Sequence, residues 1–259
     1  MSNDKRDHLY SARWGLTRAI DNEDYGEILD YVVKQIYAAK AGDITAVLEE
    51  EPDRPTEPHV PSTYNIPKIV RVPGIKFKKR GSFNTKSGKP EGLLVHYTVS
   101  GGTASSAKGV LGSLARRRLG CPVMAHDGTI YIPEDYDMFG DVVYHAGKSY
   151  WGGKSSMSQY LMGIEICNWG RLSTKTRAYA KHIRKVPADN MNMVHGDYEM
   201  YTPEQELCLK NLVLWMQDVL PDFKIANLCG HDEVSPGRKF DPGAALSLPM
   251  PKYRELFSK

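Results

Sequence analysis

Five prolines between Pro52 and Pro67, in the run EPDRPTEPHVPSTYNIP, divide the chain in two. Proline lacks an N–H to donate and has a fixed φ, so such a run can neither continue a helix nor occupy a central strand. It reads as an extended linker. Charge divides at the same place. Residues 1–60 hold 7 Lys/Arg against 13 Asp/Glu, net −6, and residues 61–259 hold 27 against 18, net +9, so the overall +3 is a cancellation. Such asymmetry points to parts with different partners. The expected organisation is an acidic helical module at 1–50, a linker at 51–66 and a larger domain at 67–259.

In the acidic part, Tyr25, Ile28, Leu29, Val32, Val33, Ile36 and Ala39 recur at helical spacing, and Gly42 follows where a C-cap glycine belongs. Over the whole chain 41% of residues are apolar and 25% charged, which excludes a disordered polyelectrolyte and allows a buried core. No run approaches the roughly 18 apolar residues of a membrane helix, and MSNDKRDHLY lacks the apolar centre of a signal peptide. The expectation is a protein made in the cytoplasm without a membrane span, and without a nucleic-acid partner. Cys121, Cys167, Cys208 and Cys229 form no C-x-x-C pair, so buried thiols are expected rather than a disulfide framework or a zinc knuckle.

Beyond the linker, short apolar runs alternate with helical patterns. LLVHYT (93–98) has the length and bulk of a buried strand, Thr103 to Arg118 carries a helical stripe, and PVMAHDGTIYI is a hairpin turning at Asp127-Gly128. Val142 to His145 and Gly163 to Cys167 read as further strands. Thr202 as N-cap, Pro203 at the first helical position and Gln205 as the capping-box partner open a helix to Leu220, with Cys208, Leu212, Trp215 and Val219 as its apolar stripe. The expected class is α/β: a central mixed β-sheet flanked by helices, with a small N-terminal helical module.

Among the eight histidines, His96 stands inside an apolar strand, where an unpaired imidazole is costly to bury and calls for a partner or a metal. His231 opens the loop GHDEVSPGRKFDPG (230–243), dense in groups that bind metals or protons. Two histidines and a carboxylate with one open position form the ligand set of a catalytic zinc, and imidazole suits zinc better than calcium or magnesium.

The ordered series LLVHYT, HDGTIYI, YHAG, GIEI and GHDEVSPGRKFDPG resembles the zinc-dependent N-acetylmuramoyl-L-alanine amidases. That group includes phage amidase-type lysozymes and bacterial muropeptide-recycling amidases, with animal peptidoglycan recognition proteins as relatives on the same fold. The resemblance covers about residues 67 to 250. It implies that His96, His231 and Asp241 hold one zinc ion, that Glu165 serves as general base, and that Lys239 faces the developing oxyanion. It also places His145 on the substrate side, whereas Tyr97, Trp151 and Trp169 are aromatic candidates for a sugar or peptide groove. The chain departs from the pattern at Gly120 and Cys121, where many relatives carry histidine or tyrosine. That argues against a tyrosine-assisted mechanism.

The resemblance implies cleavage of the amide between the lactyl group of N-acetylmuramic acid and L-alanine, with peptidoglycan or muropeptides as ligands. The extra acidic segment favours a modular phage endolysin acting on the wall after release, with a protein partner for that segment as a further expectation. A cytoplasmic anhydro-muropeptide recycling amidase and a non-catalytic peptidoglycan-binding receptor or regulator are the alternatives.

Overall fold

Residues 64–77, 90–119, 121–141, 143–186 and 196–258 are described by the computed structural model. The expected acidic module, most of the linker, His8, His59, Gly120 and His195 lie outside them.

The described strands and helices are β1 (Ile69–Val72), β2 (Gly92–Tyr97), α1 (Ala104–Arg116), β3 (Val123–Met124), β4 (Ile130–Pro133), β5 (Tyr150–Trp151), β6 (Lys154–Ser155) and β7 (Leu161–Ile166). They continue with β8 (Ile183–Val186), β9 (Gly196–Glu199), α2 (Pro203–Val219), β10 (Leu228–Gly230), α3 (His231–Val234) and α4 (Met250–Phe257). The main sheet has the order β1-β4-β3-β7-β2-β10. All its pairs are parallel except the β3–β4 hairpin, which makes the sheet mixed, as expected. Among the described residues, no helix is long and apolar enough to cross a membrane.

Strand alternation sorts the side chains between two faces. Leu93 and Val95 of β2, Met162, Ile164 and Ile166 of β7, and Leu228 of β10 point into one core, which α2 and α4 cover. On α2 the stripe that meets this core is Leu209, Leu212, Val213 and Met216, all fully buried. Each such burial stabilises by about 1.5–3 kcal/mol. The stripe predicted through Trp215 and Val219 is turned relative to this one: Trp215 is half-buried and Val219 is 40% exposed. The predicted start of the helix is present, since Thr202 Oγ1 accepts from the Gln205 backbone and Gln205 Oε1 from that of Thr202.

On the opposite face α1 packs over only half of the sheet, against Val72, Val123 and Tyr131. The other half, formed by β7, β2 and β10, presents Leu94, His96, Gly163, Glu165 and Cys229. The extended segment 143–149 and the short turn at Met157–Gln159 cross this half. Of the strand predicted at Val142 to His145, Val142 lies outside the described residues and 143–145 form no strand: the N–H groups of His145 and Ala146 both donate to Ser158 Oγ, at 3.0 and 2.7 Å, rather than to a neighbouring strand. All four cysteines are buried free thiols, as their spacing suggested.

Candidate metal centre

His96 arrives on β2 because the strand's alternation turns it away from the Val95 core. It is 3% exposed, and Tyr201 Oη donates to its backbone carbonyl at 3.1 Å. His231 is the first residue of α3, a single turn fastened from outside. Glu233 of that turn accepts the Gly230 N–H and a two-pronged ion pair from Arg254, 2.8 Å on each prong. Arg254 also reaches the Leu228 carbonyl at 2.8 Å, so α4 locks the end of β10 and the turn after it. The loop then returns: the Asp232 N–H donates to the Asp241 carbonyl at 2.8 Å, which brings the Asp241 side chain back to both histidines.

The result is a buried convergence of three donor atoms. Asp241 Oδ2 lies 2.9 Å from His96 Nδ1 and 3.0 Å from His231 Nδ1, and the two imidazole rings sit 4.4 Å apart, nearly perpendicular. Their other nitrogens are already engaged. His231 Nε2 lies 3.1 Å from the Ala146 carbonyl and 3.4 Å from Arg238 Nη2. His96 Nε2 lies 3.0 Å from His145 Nδ1. Burial raises the Asp241 carboxyl, but its hydrogen bonds with His231 and His96 outweigh that and hold it well below the usual carboxylate range. Burial is also the main cause that lowers the imidazole of His96 and brings that of His145 well below its ordinary value. An ionised carboxylate facing two imidazole nitrogens needs protons or a cation at the centre, and two imidazoles with one carboxylate is a donor set that fits zinc.

Glu165 stands beside His96, its register partner across the β2–β7 pair. Burial, then the Asp241 carboxylate, push its carboxyl up to about 8, partly offset by Lys239 and Arg117. Lys239 also lowers the His96 pKa, so its ammonium lies within electrostatic reach of both groups. The structure thus brings together His96, His231, Asp241, Glu165, Lys239 and His145.

The aromatic candidates lie differently. Tyr97 follows His96 and so points to the other face, where it packs against the α2 core and over Gly170. Trp169 stacks on Tyr179 at 5.2 Å, and its backbone N–H donates to Glu199. The Trp151 indole donates to the Ala226 carbonyl and lies under Arg254. His182 is exposed.

Two contributors carry no local signal in the sequence. Arg238 Nη2 reaches the carbonyls of Ala146 and Lys148 at 2.9 and 2.7 Å, fastening the loop 230–243 to segment 143–149. Ser158 fixes the same segment from the other side. A second donor group, His96, Cys121 and His145, shares His96 with the first, but there the His96 nitrogen facing His145 is taken up by their hydrogen bond.

Three solved structures are similar in fold. AmiD from E. coli, in complex with the substrate anhydro-N-acetylmuramic acid-L-Ala-D-gamma-Glu-L-Lys, is 19% identical over 68% of this chain and 60% of its own, with a TM-score of 0.44. AmpDh3 from Pseudomonas aeruginosa is 23% identical over 70% and 65%, at 0.41. The endolysin N-acetylmuramoyl-L-alanine amidase LysCS from Clostridium intestinale is 17% identical over 76% and 97%, at 0.43. The chain thus spans about three fifths of the AmiD chain. No curated protein matches it in sequence. The profile of the N-acetylmuramoyl-L-alanine amidase family (Amidase_2) matches residues 86–244, which include all five of the residues gathered around His96. The chain belongs to that family.

Proposed function

We propose that the protein is a zinc-dependent N-acetylmuramoyl-L-alanine amidase that cleaves the amide between the lactyl group of N-acetylmuramic acid and the L-alanine of the stem peptide. The observation that carries this reading is the convergence of His96 Nδ1, His231 Nδ1 and Asp241 Oδ2 beside Glu165 on the half of the sheet that α1 leaves uncovered. These three residues would hold the metal. A zinc ion there supplies Lewis acidity, which acidifies water and polarises an amide carbonyl.

The chain's own residues do the rest. Glu165 takes the proton of the attacking water on its carboxylate and passes it to the departing amine. Lys239 sets a fixed positive charge toward the oxygen that becomes negative as the tetrahedral centre forms, so its stabilisation is greatest in the transition state. Trp169 offers an aromatic surface for the sugar or peptide. His145 has both ring nitrogens engaged by protein groups, which supports a role behind His96 rather than against the substrate.

Within this activity we favour a modular endolysin whose acidic residues 1–50 recruit a protein partner, while the basic domain is drawn to an anionic wall. Charge division at the proline run supports that reading. Offering the full chain intact sacculi and soluble anhydro-muropeptides side by side tests it. Faster release from sacculi is expected, and a strong preference for the soluble fragments would identify a recycling enzyme instead. Absence of turnover on both, with binding retained, would make the protein a receptor.

A further inference from the structure

Building on the metal reading above, we propose that His145 is a positioning residue that holds His96 in the tautomer whose Nδ1 lone pair faces the metal. The hydrogen bonds run inward from the sheet. His145 Nε2 lies 2.9 Å from the Leu161 carbonyl. A carbonyl only accepts, so that nitrogen carries a proton. The metal reading gives His96 Nδ1, the atom 2.9 Å from Asp241 Oδ2, to the metal, so the remaining ring proton of His96 sits on Nε2. That nitrogen lies 3.0 Å from His145 Nδ1, the one ring nitrogen of His145 not turned to the Leu161 carbonyl, which accepts from it.

The next residue does the same for the second histidine. With His231 Nδ1 likewise given to the metal, its Nε2 is left to donate to the Ala146 carbonyl at 3.1 Å, with Arg238 Nη2 3.4 Å from the same nitrogen. The pair His145-Ala146 therefore sets both tautomers, one through its side chain and one through its backbone.

The pair is itself held in place. Both its N–H groups donate to the buried Ser158 Oγ. Gly163 lies beneath it, where a Cβ would come within 2.7 Å of His145 Nδ1 and 2.5 Å of Cys121 Sγ. Partners that fix a metal-ligating imidazole in this way are commonly worth 10–100-fold in metal affinity.

Zinc affinity of the full chain, measured by competition with a chromogenic chelator, tests the assignment in the parent, His145→Phe, His145→Gln and Cys121→Ala. His145→Phe is expected to bind zinc about 10–100-fold more weakly. His145→Gln restores one acceptor and one donor and is expected within about threefold of the parent. Cys121→Ala should match the parent. Parent-like affinity in His145→Phe, with only KM raised, would make His145 a substrate contact and overturn the proposal. Equal losses in His145→Phe and Cys121→Ala would overturn it too, by placing the metal at His96, Cys121 and His145. Should His145→Phe fail to fold, ¹⁵N NMR of the zinc-loaded parent decides: a proton on His96 Nε2 with a coupling across the hydrogen bond to His145 Nδ1 is expected, and a His96 Nε2–H without that coupling refutes the proposal. A parent that binds no zinc would sink the metal reading, whereas zinc bound equally well by the parent and His145→Phe would sink only the role of His145.

Discussion

His96 and Glu165 are register partners on the adjacent parallel strands β2 and β7, so both side chains rise from the same face of the sheet. One strand step therefore separates the proposed metal ligand from the proposed base. Glu165→Gln keeps the shape and removes the proton acceptor. Steady-state kinetics on a muropeptide should show kcat lower by about 10²–10⁴-fold with zinc content unchanged. A kcat within a factor of about two of the parent's would remove Glu165 from the mechanism.

The same carboxyl makes stability depend on pH. In the metal-free protein burial lifts Glu165 to about 8, against about 4.5 when unfolded. Between these values the folded state keeps a proton that the unfolded chain has released. The contribution is fully present below pH 4.5 and is lost as pH rises to about 8. Asp232, pushed up to about 7 chiefly by burial, acts in the same direction and is present in both proteins. Melting curves in chelator from pH 5 to 8 should therefore fall more steeply for the parent than for Glu165→Gln. Parallel curves would show that Glu165 is not held protonated.

Lys239 lies within electrostatic reach of His96 and Glu165. Lys239→Met should lower kcat by about 10²–10³-fold, the usual cost of one lost oxyanion-stabilising group, with little change in KM. A rise in KM alone, at unchanged kcat, would assign the lysine to substrate binding.

Gly163 leaves room on the sheet for the His145 ring and the Cys121 thiol. Gly163→Ala should displace that ring and weaken zinc binding while the far-ultraviolet circular dichroism stays that of the parent. Unchanged zinc affinity would mean that the neighbours yield without cost.

Glu206 of α2 is buried and accepts from the Ser247 N–H at 2.6 Å, the Ser247 hydroxyl and Tyr253 Oη at 2.9 Å. Glu206→Ala strands these donors. Urea denaturation should show a loss of about 1–3 kcal/mol, with activity per folded molecule retained.

Much of the fold was legible because single segments signal it. The apolar run LLVHYT marked β2, the Thr202–Gln205 capping box marked the start of α2, and Asp127-Gly128 marked the hairpin. The residues that gather around His96 were legible through the resemblance carried by the ordered series LLVHYT, YHAG, GIEI and GHDEVSPGRKFDPG. What was not legible depends on partners far along the chain. Val142 to His145 has the apolar character of a strand, but the N–H groups of His145 and Ala146 donate to Ser158 Oγ. Tyr97 looked like a groove residue, yet strand alternation turns it to the face opposite His96. The brace from Arg238 to Ala146 spans 92 residues, and nothing local announces it.

The most direct test of the account is peptide release from purified peptidoglycan by the parent and by folded His96→Ala and His231→Ala proteins, each before chelation, after it, and after zinc is restored. Release by the parent should stop on chelation and return with one zinc ion per chain, and neither variant should recover it. Release by either variant at the parent's rate, or by the chelated parent, would contradict a metal centre built on His96, His231 and Asp241.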